Sequence, residues 1–177
     1  MSLIDRYMMR LVLVIAVGSC LAAAAHARLG WEEYRNDRFG PVLRYPADVF
    51  QPQRAAVSGD GYLFASKDGE AQLLVGAFEN REGHSPASYQ RFIRRHSYPG
   101  VEVDYAPIGR SWMVLSGYLD DKTVYEKVMF SCNGRVINSF AMIYPTAGRD
   151  FYDPIVEEIE DTFRPVPTTC PRHAGAF

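Results

Sequence analysis

The side chains of this 177-residue chain whose types could do chemistry are four histidines, three cysteines, a group of arginines and a few acids in loop sequences. His84 and His96 would meet as metal ligands only on one helix face. Ser85-Pro86, an N-cap followed by proline, places His84 just outside the helix that holds His96. Zinc sites cluster Cys and His at short spacing, and none of these residues do so. Serine hydrolysis needs a serine on a constrained turn with a base and an orienting carboxylate, and no Gly-x-Ser-x-Gly occurs. Ser58-Gly59-Asp60-Gly61 lacks the spacing and the Lys-Ser/Thr of a phosphate loop and reads as a turn. Asp60, Asp120 and Asp121 fall in turn sequences, where such side chains cap backbone groups. No catalytic set, metal site or cofactor is expected. Arg91, Arg94 and Arg95 read as a solvated helix face, with an anionic partner or lipid headgroups as the functional alternative.

The N-terminus decides which environment these side chains meet. Arg6 and Arg10 precede the uncharged run Leu11 to Ala25, which exits through Ala25-His26-Ala27; that order of segments predicts a signal peptide over residues 1–27. The run is shorter than the about 20 apolar residues that span a bilayer. A second reading competes, because Val17-Gly18-Ser19-Cys20 has the form of a lipidation box, and processing there would anchor the chain to a membrane through Cys20. The apolar stretch continuing past Cys20 to the Ala-His-Ala site favours free export to the periplasm or medium.

Export changes the reading of the other two cysteines. Either mode of processing leaves Cys132 and Cys170 as the only pair of thiols, and an oxidising compartment is expected to join them. Losing Asp5, Arg6 and Arg10 from a chain with 21 acidic and 19 basic residues leaves it slightly acidic, so no electrostatic field points to nucleic acid. Aromatic content of 13% with 23% charged residues describes an ordinary folded globule. The expectation is one domain over residues 28–164 and a flexible tail over 165–177.

The elements that position these residues are legible at several points. Phe39, Val42, Leu43 and Tyr45 suggest a short strand that Pro41 places at an edge. Gly61 to Ser66 and Glu70 to Glu79 flank Lys67-Asp68-Gly69, a tight-hairpin signal. A helix runs from Pro86 to about Ser97, and Val101 to Tyr105 alternates as a strand. Arg110 to Tyr144 reads as a three-stranded meander with turns at Leu119 to Lys122 and at Asn133-Gly134. If the second is a two-residue loop, Phe130 faces Ile137, Val128 faces Ser139 and Val124 faces Ile143 on one side of the sheet. A last helix carries Ile155, Val156, Ile159 and Phe163 on one stripe.

The other side of the meander carries Tyr125, Met129, Phe140 and Met142, with Trp112 nearby. Methionine and aromatic side chains adapt to partners, so this set is the expected binding face, against an aliphatic opposite side suited to a permanent core. A second core layer, covered by the last helix or the N-terminal segment, is the competing reading.

The order strand, hairpin, helix, meander, helix, with Phe39-Gly40 leading to Tyr45-Pro46 and Tyr152-Asp153-Pro154 leading to Thr162-Phe163-Arg164, resembles the PsbP-like family and small secreted proteobacterial proteins. The resemblance implies an α+β fold, an antiparallel sheet packed with helices as an α/β/α sandwich. It also implies an exported accessory protein that binds other proteins or small ligands and catalyses nothing. The expected function is thus a non-catalytic binding or accessory protein of the cell envelope, its partner another protein or a small apolar ligand. A secreted enzyme, such as a hydrolase, is the alternative.

Overall fold

The computed structural model describes residues 29–56, 60–167 and 170–171. The predicted signal peptide, with Cys20 and the Ala-His-Ala sequence, lies outside the described residues. From Trp31 onward the chain runs through β1 (Trp31–Arg35), β2 (Pro41–Pro46), β3 (Phe50–Ala55), β4 (Gly61–Ser66), β5 (Gln72–Glu79), α1 (Pro86–His96), β6 (Glu102–Tyr105), β7 (Trp112–Leu119), β8 (Lys122–Ser131), β9 (Val136–Pro145), α2 (Arg149–Thr162) and β10 (Arg164–Pro165). All pairings are antiparallel. They build a seven-stranded sheet in the order β3-β4-β5-β9-β8-β7-β6 and a small sheet in the order β1-β2-β10.

Local chemistry explains the elements that were foreseen. The Ser85 hydroxyl accepts from the Ser88 N–H while the Ser88 hydroxyl accepts from the Ser85 N–H, a reciprocal cap that starts α1 with Pro86 in its first turn. Cys132, Asn133 and Gly134 take φ of 54°, 56° and 84°, a left-handed run that turns the chain between Ser131 and Val136. The register follows: Val124 pairs with Ile143, Val128 with Ser139 and Phe130 with Ile137. Three elements differ from expectation. β2 is the central strand of the small sheet, and Pro41 is tolerated because it is the strand's first residue. β3 was hidden by Pro52, which sits where the register shifts by a bulge on an edge strand. The Asp-Gly hairpin has a longer loop than a tight turn, closed by the Ser66 N–H on the Ala71 carbonyl. The last helix already includes the turn before Pro154, as the sequence allows: α2 begins at Arg149 and Pro154 lies inside it.

Alternation along the strands sorts side chains onto two faces of the large sheet. One face carries Met113, Leu115, Val124, Val128, Phe130 and Ile137, and α1 covers them with Tyr89 and Ile93, aided by Tyr98 and Val101. The other carries Phe64, Leu73, Val75, Phe140 and Met142. Phe163, just past α2, packs edge-on against Phe140 at 5.1 Å, Tyr144 donates to Asp153 at 2.8 Å, and Lys127 pairs with Glu160. At its β4 end this face is closed by the small sheet, where Tyr45 and Tyr34 lie 4.6 and 5.6 Å from Phe64. One helix therefore sits on each face, but strands predominate and a second sheet shares the α2 layer, so α/β/α sandwich describes the protein only loosely.

The expected binding face is corrected by this arrangement. Phe140 and Met142 have no accessible surface, and Tyr125 and Met129 are partly buried. The Tyr125 ring stacks on Phe140, and its hydroxyl donates to Glu160. Of the set, Trp112 alone is exposed, at 36%. The set is a second core layer because α2 and the small sheet both dock there.

The tail expected to be free from Pro165 is held at two places. Pro165 pairs with Pro41, and Cys170 is disulfide-bonded to Cys132 in the Asn133-Gly134 loop, with 5.5 Å between Cα atoms. The bond closes 38 residues, for which the chain-entropy model gives about 3 to 4 kcal/mol. Replacing both cysteines by serine is expected to lower the unfolding free energy by that order in a denaturant titration. Alkylation of both thiols in wild-type protein without reductant would refute the bond. Among the described residues no helix is long and apolar enough to cross a membrane.

Candidate ligand groove

Because α1 covers the sheet over β7, β8, part of β9 and the Phe78 end of β5, the same face lies open over β4 and the rest of β5. Gly61 and Gly76 pair directly there, so neither strand raises a side chain at that point. A Cβ on Gly61 would stand 2.6 Å from the Val75 carbonyl oxygen, a contact no other residue tolerates, whereas one on Gly76 would meet nothing nearer than 3.5 Å. The missing side chains leave a groove of about 520 Å³. Leu63, Leu74, Ala141 and Ile143 give it apolar walls, Ser97, Tyr98 and Glu126 bound it on the α1 side, and Arg54 stands on β3 beyond the far wall. Leu74 is 39% exposed, unusual for a large aliphatic side chain pointing along a sheet face.

Glu126 is the chemical centre of this groove. It occupies the α1-facing side of β8 between Val124 and Val128, and its cross-strand neighbours are Leu115 on β7 and Ala141 on β9. It is only 6% exposed, and its single hydrogen bond is accepted by Oε2 from the Tyr98 hydroxyl at 2.7 Å. Oε1 accepts no hydrogen bond, and no cation pairs with the carboxyl among the described residues. Burial pushes its pKa up from 4.5 to about 7, against which the Tyr98 hydrogen bond lowers it. Burial and the Glu126 charge raise the Tyr98 hydroxyl far above its ordinary range. Tyr98 therefore stays a neutral donor to Glu126, the acid that borders the groove.

Neither Glu126 nor Tyr98 stood out in the sequence, although a signal was there. Once Asn133-Gly134 sets the register, an acid between Val124 and Val128 must point into the apolar side of the sheet. The residues that did stand out are placed apart. His84 bonds Glu82 at 2.9 Å and packs against Tyr89, while His96, at the far end of α1, lies exposed against Phe92. Arg91, Arg94 and Arg95 are exposed around a shallow depression with Pro99 and Gly100. Among the described residues no three His, Cys, Asp or Glu side chains cluster as metal ligands.

Among solved structures the chain is similar to CyanoP, the cyanobacterial PsbP of Synechocystis, with 13% identity and a TM-score of 0.56 over 78% of this chain and 94% of that one. The fold is PsbP-like. The same frame is found in the Ran-binding protein Mog1p of Saccharomyces cerevisiae, with 10% identity and a TM-score of 0.54 over 80% of this chain and 98% of Mog1p. No family model matches the sequence, and no curated protein matches it. At such identities the PsbP-like frame carries the architecture, and the chemistry rests on this chain's own residues.

Proposed function

We propose that the protein is an exported, non-catalytic binding protein that takes a small apolar ligand in the groove over β4, β5 and β9. The observation that carries the reading is the pairing of Gly61 with Gly76 beneath exposed Leu74, an apolar concavity on an otherwise covered sheet. The Arg6, Arg10, Leu11 to Ala25 and Ala25-His26-Ala27 sequence supports export, and a PsbP-like frame suits an accessory role. An enzyme is the second reading, favoured by one observation, the raised pKa of Glu126 in a cleft. Binding is preferred because, among the described residues, the group that hydrogen-bonds that carboxyl is the neutral Tyr98 hydroxyl.

Two measurements test the proposal. Gly76→Leu fills the groove where a side chain fits, so it is expected to weaken saturable binding of the apolar fluorophore N-phenylnaphthylamine by about tenfold while the melting temperature holds. Unchanged or unsaturable binding would remove the groove from the account. For export, intact mass of protein recovered from the cell envelope is expected to show a chain beginning at Arg28. A lipidated species beginning at Cys20 would instead make it a membrane-anchored protein.

A further inference from the structure

We infer that the ligand of the groove carries a protonated amine, seated on Glu126, with its apolar body lying across Gly76 toward Leu63 and Leu74. The inference rests on the groove reading above and adds to it the head group. Glu126 is more than nine-tenths buried, borders the groove, and has one carboxyl oxygen already satisfied by Tyr98 and one with no partner. A buried carboxylate lacking a counter-charge is costly, and a ligand cation that donates to its free oxygen removes the deficit.

The groups facing Glu126 leave this role open to the ligand. From α1 comes Tyr89 and from the segment after it Tyr98, both neutral hydroxyls; from β7 and β9 come Leu115 and Ala141. Among the described residues the one cation lining the groove, Arg54, stands on β3, four strands from β8. A cationic head is thus attracted to one end and repelled from the other, which sets its direction. Crossing β8, β9, β5 and β4 at about 4.8 Å per strand gives a length of roughly 14 Å. An eight-carbon chain with its head group fills most of that span.

Calorimetric titration of the purified protein at about pH 8 with octylamine, octanol and octanoate tests this, the three probes sharing one chain and differing in the head. Octylamine is expected to bind at least about tenfold more tightly than octanol, the margin of a charge-assisted over a neutral hydrogen bond. Glu126→Gln is expected to bring the two to equal affinity. Wild-type protein alone supplies an independent reading, because lowering the pH from about 8 to about 5 protonates Glu126 and should erase the amine's advantage. Equal affinity for octylamine and octanol, a preference for octanoate, or an amine preference that survives Glu126→Gln overturns the inference. In each of those cases the groove itself stands if Gly76→Leu blocks the probes. Failure of all three probes to bind overturns the inference and the groove reading together.

Discussion

Truncating Phe140 to alanine is expected to destabilise the protein by about 3 to 5 kcal/mol and to lower its melting temperature by roughly 10 to 15 °C. Its ring is fully buried between Phe163, 5.1 Å away and edge-on, and the stacked ring of Tyr125 at 5.8 Å. Neither neighbour can collapse into the space without disturbing the end of α2 or β8. The informative contrast is Leu74→Ala on the opposite face of the same sheet, where the side chain is 39% exposed and its loss is expected to cost less than about 1 kcal/mol. Thermal melts of the two variants side by side report which face is core. A Phe140→Ala protein melting within about 3 °C of wild type would mean that α2 and the small sheet do not close that face in solution.

Glu126→Gln is expected to stabilise the protein above neutral pH, by about 3 kcal/mol at roughly pH 8, and to leave it nearly unchanged at about pH 4. The sign follows from the direction of the shift. In the unfolded chain the carboxyl titrates near 4.5 and in the folded one near 7, so the folded state holds the proton more tightly. Its contribution is fully present below about 4.5 and is lost as the pH rises through 7, where an anion must exist inside the sheet face. Glutamine keeps the acceptor for the Tyr98 hydroxyl at 2.7 Å and never ionises. Urea titrations of both proteins across this window check the result, and a gap that does not change with pH would show that the carboxyl is not the titrating group.

Features written in neighbouring residues were readable and features written across the chain were not. Ser85-Pro86 and Asn133-Gly134 announce a helix start and a hairpin because their chemistry acts within four residues. The same register carried the meander correctly to Val124 and Ile143, and with them the side of the sheet on which Glu126 stands. The fate of Phe140 and Met142 depends instead on where α2 docks and on a small sheet joining β2 to β10, and no local pattern states either. β3 was lost to Pro52 and its bulge, and β1, with Glu32, Glu33 and Arg35 exposed, has too little apolar content to read as a strand. The groove shares that difficulty, since a glycine on β4 and one on β5 become neighbours only through their pairing.

The small sheet also sets the order in which the molecule can be completed. Val42 finds its partner in Arg164, and the Arg44 N–H finds its acceptor in the Thr162 hydroxyl, 118 residues further on. A chain delivered N-terminus first, whether from a ribosome or through a membrane pore, therefore carries β2 with one edge unpaired and Phe140 uncovered until nearly its whole length has emerged. Contacts of such long sequence separation fold slowly, on a scale of milliseconds to seconds. The interval leaves the chain threadable, and the arrival of Phe163 is what ends it.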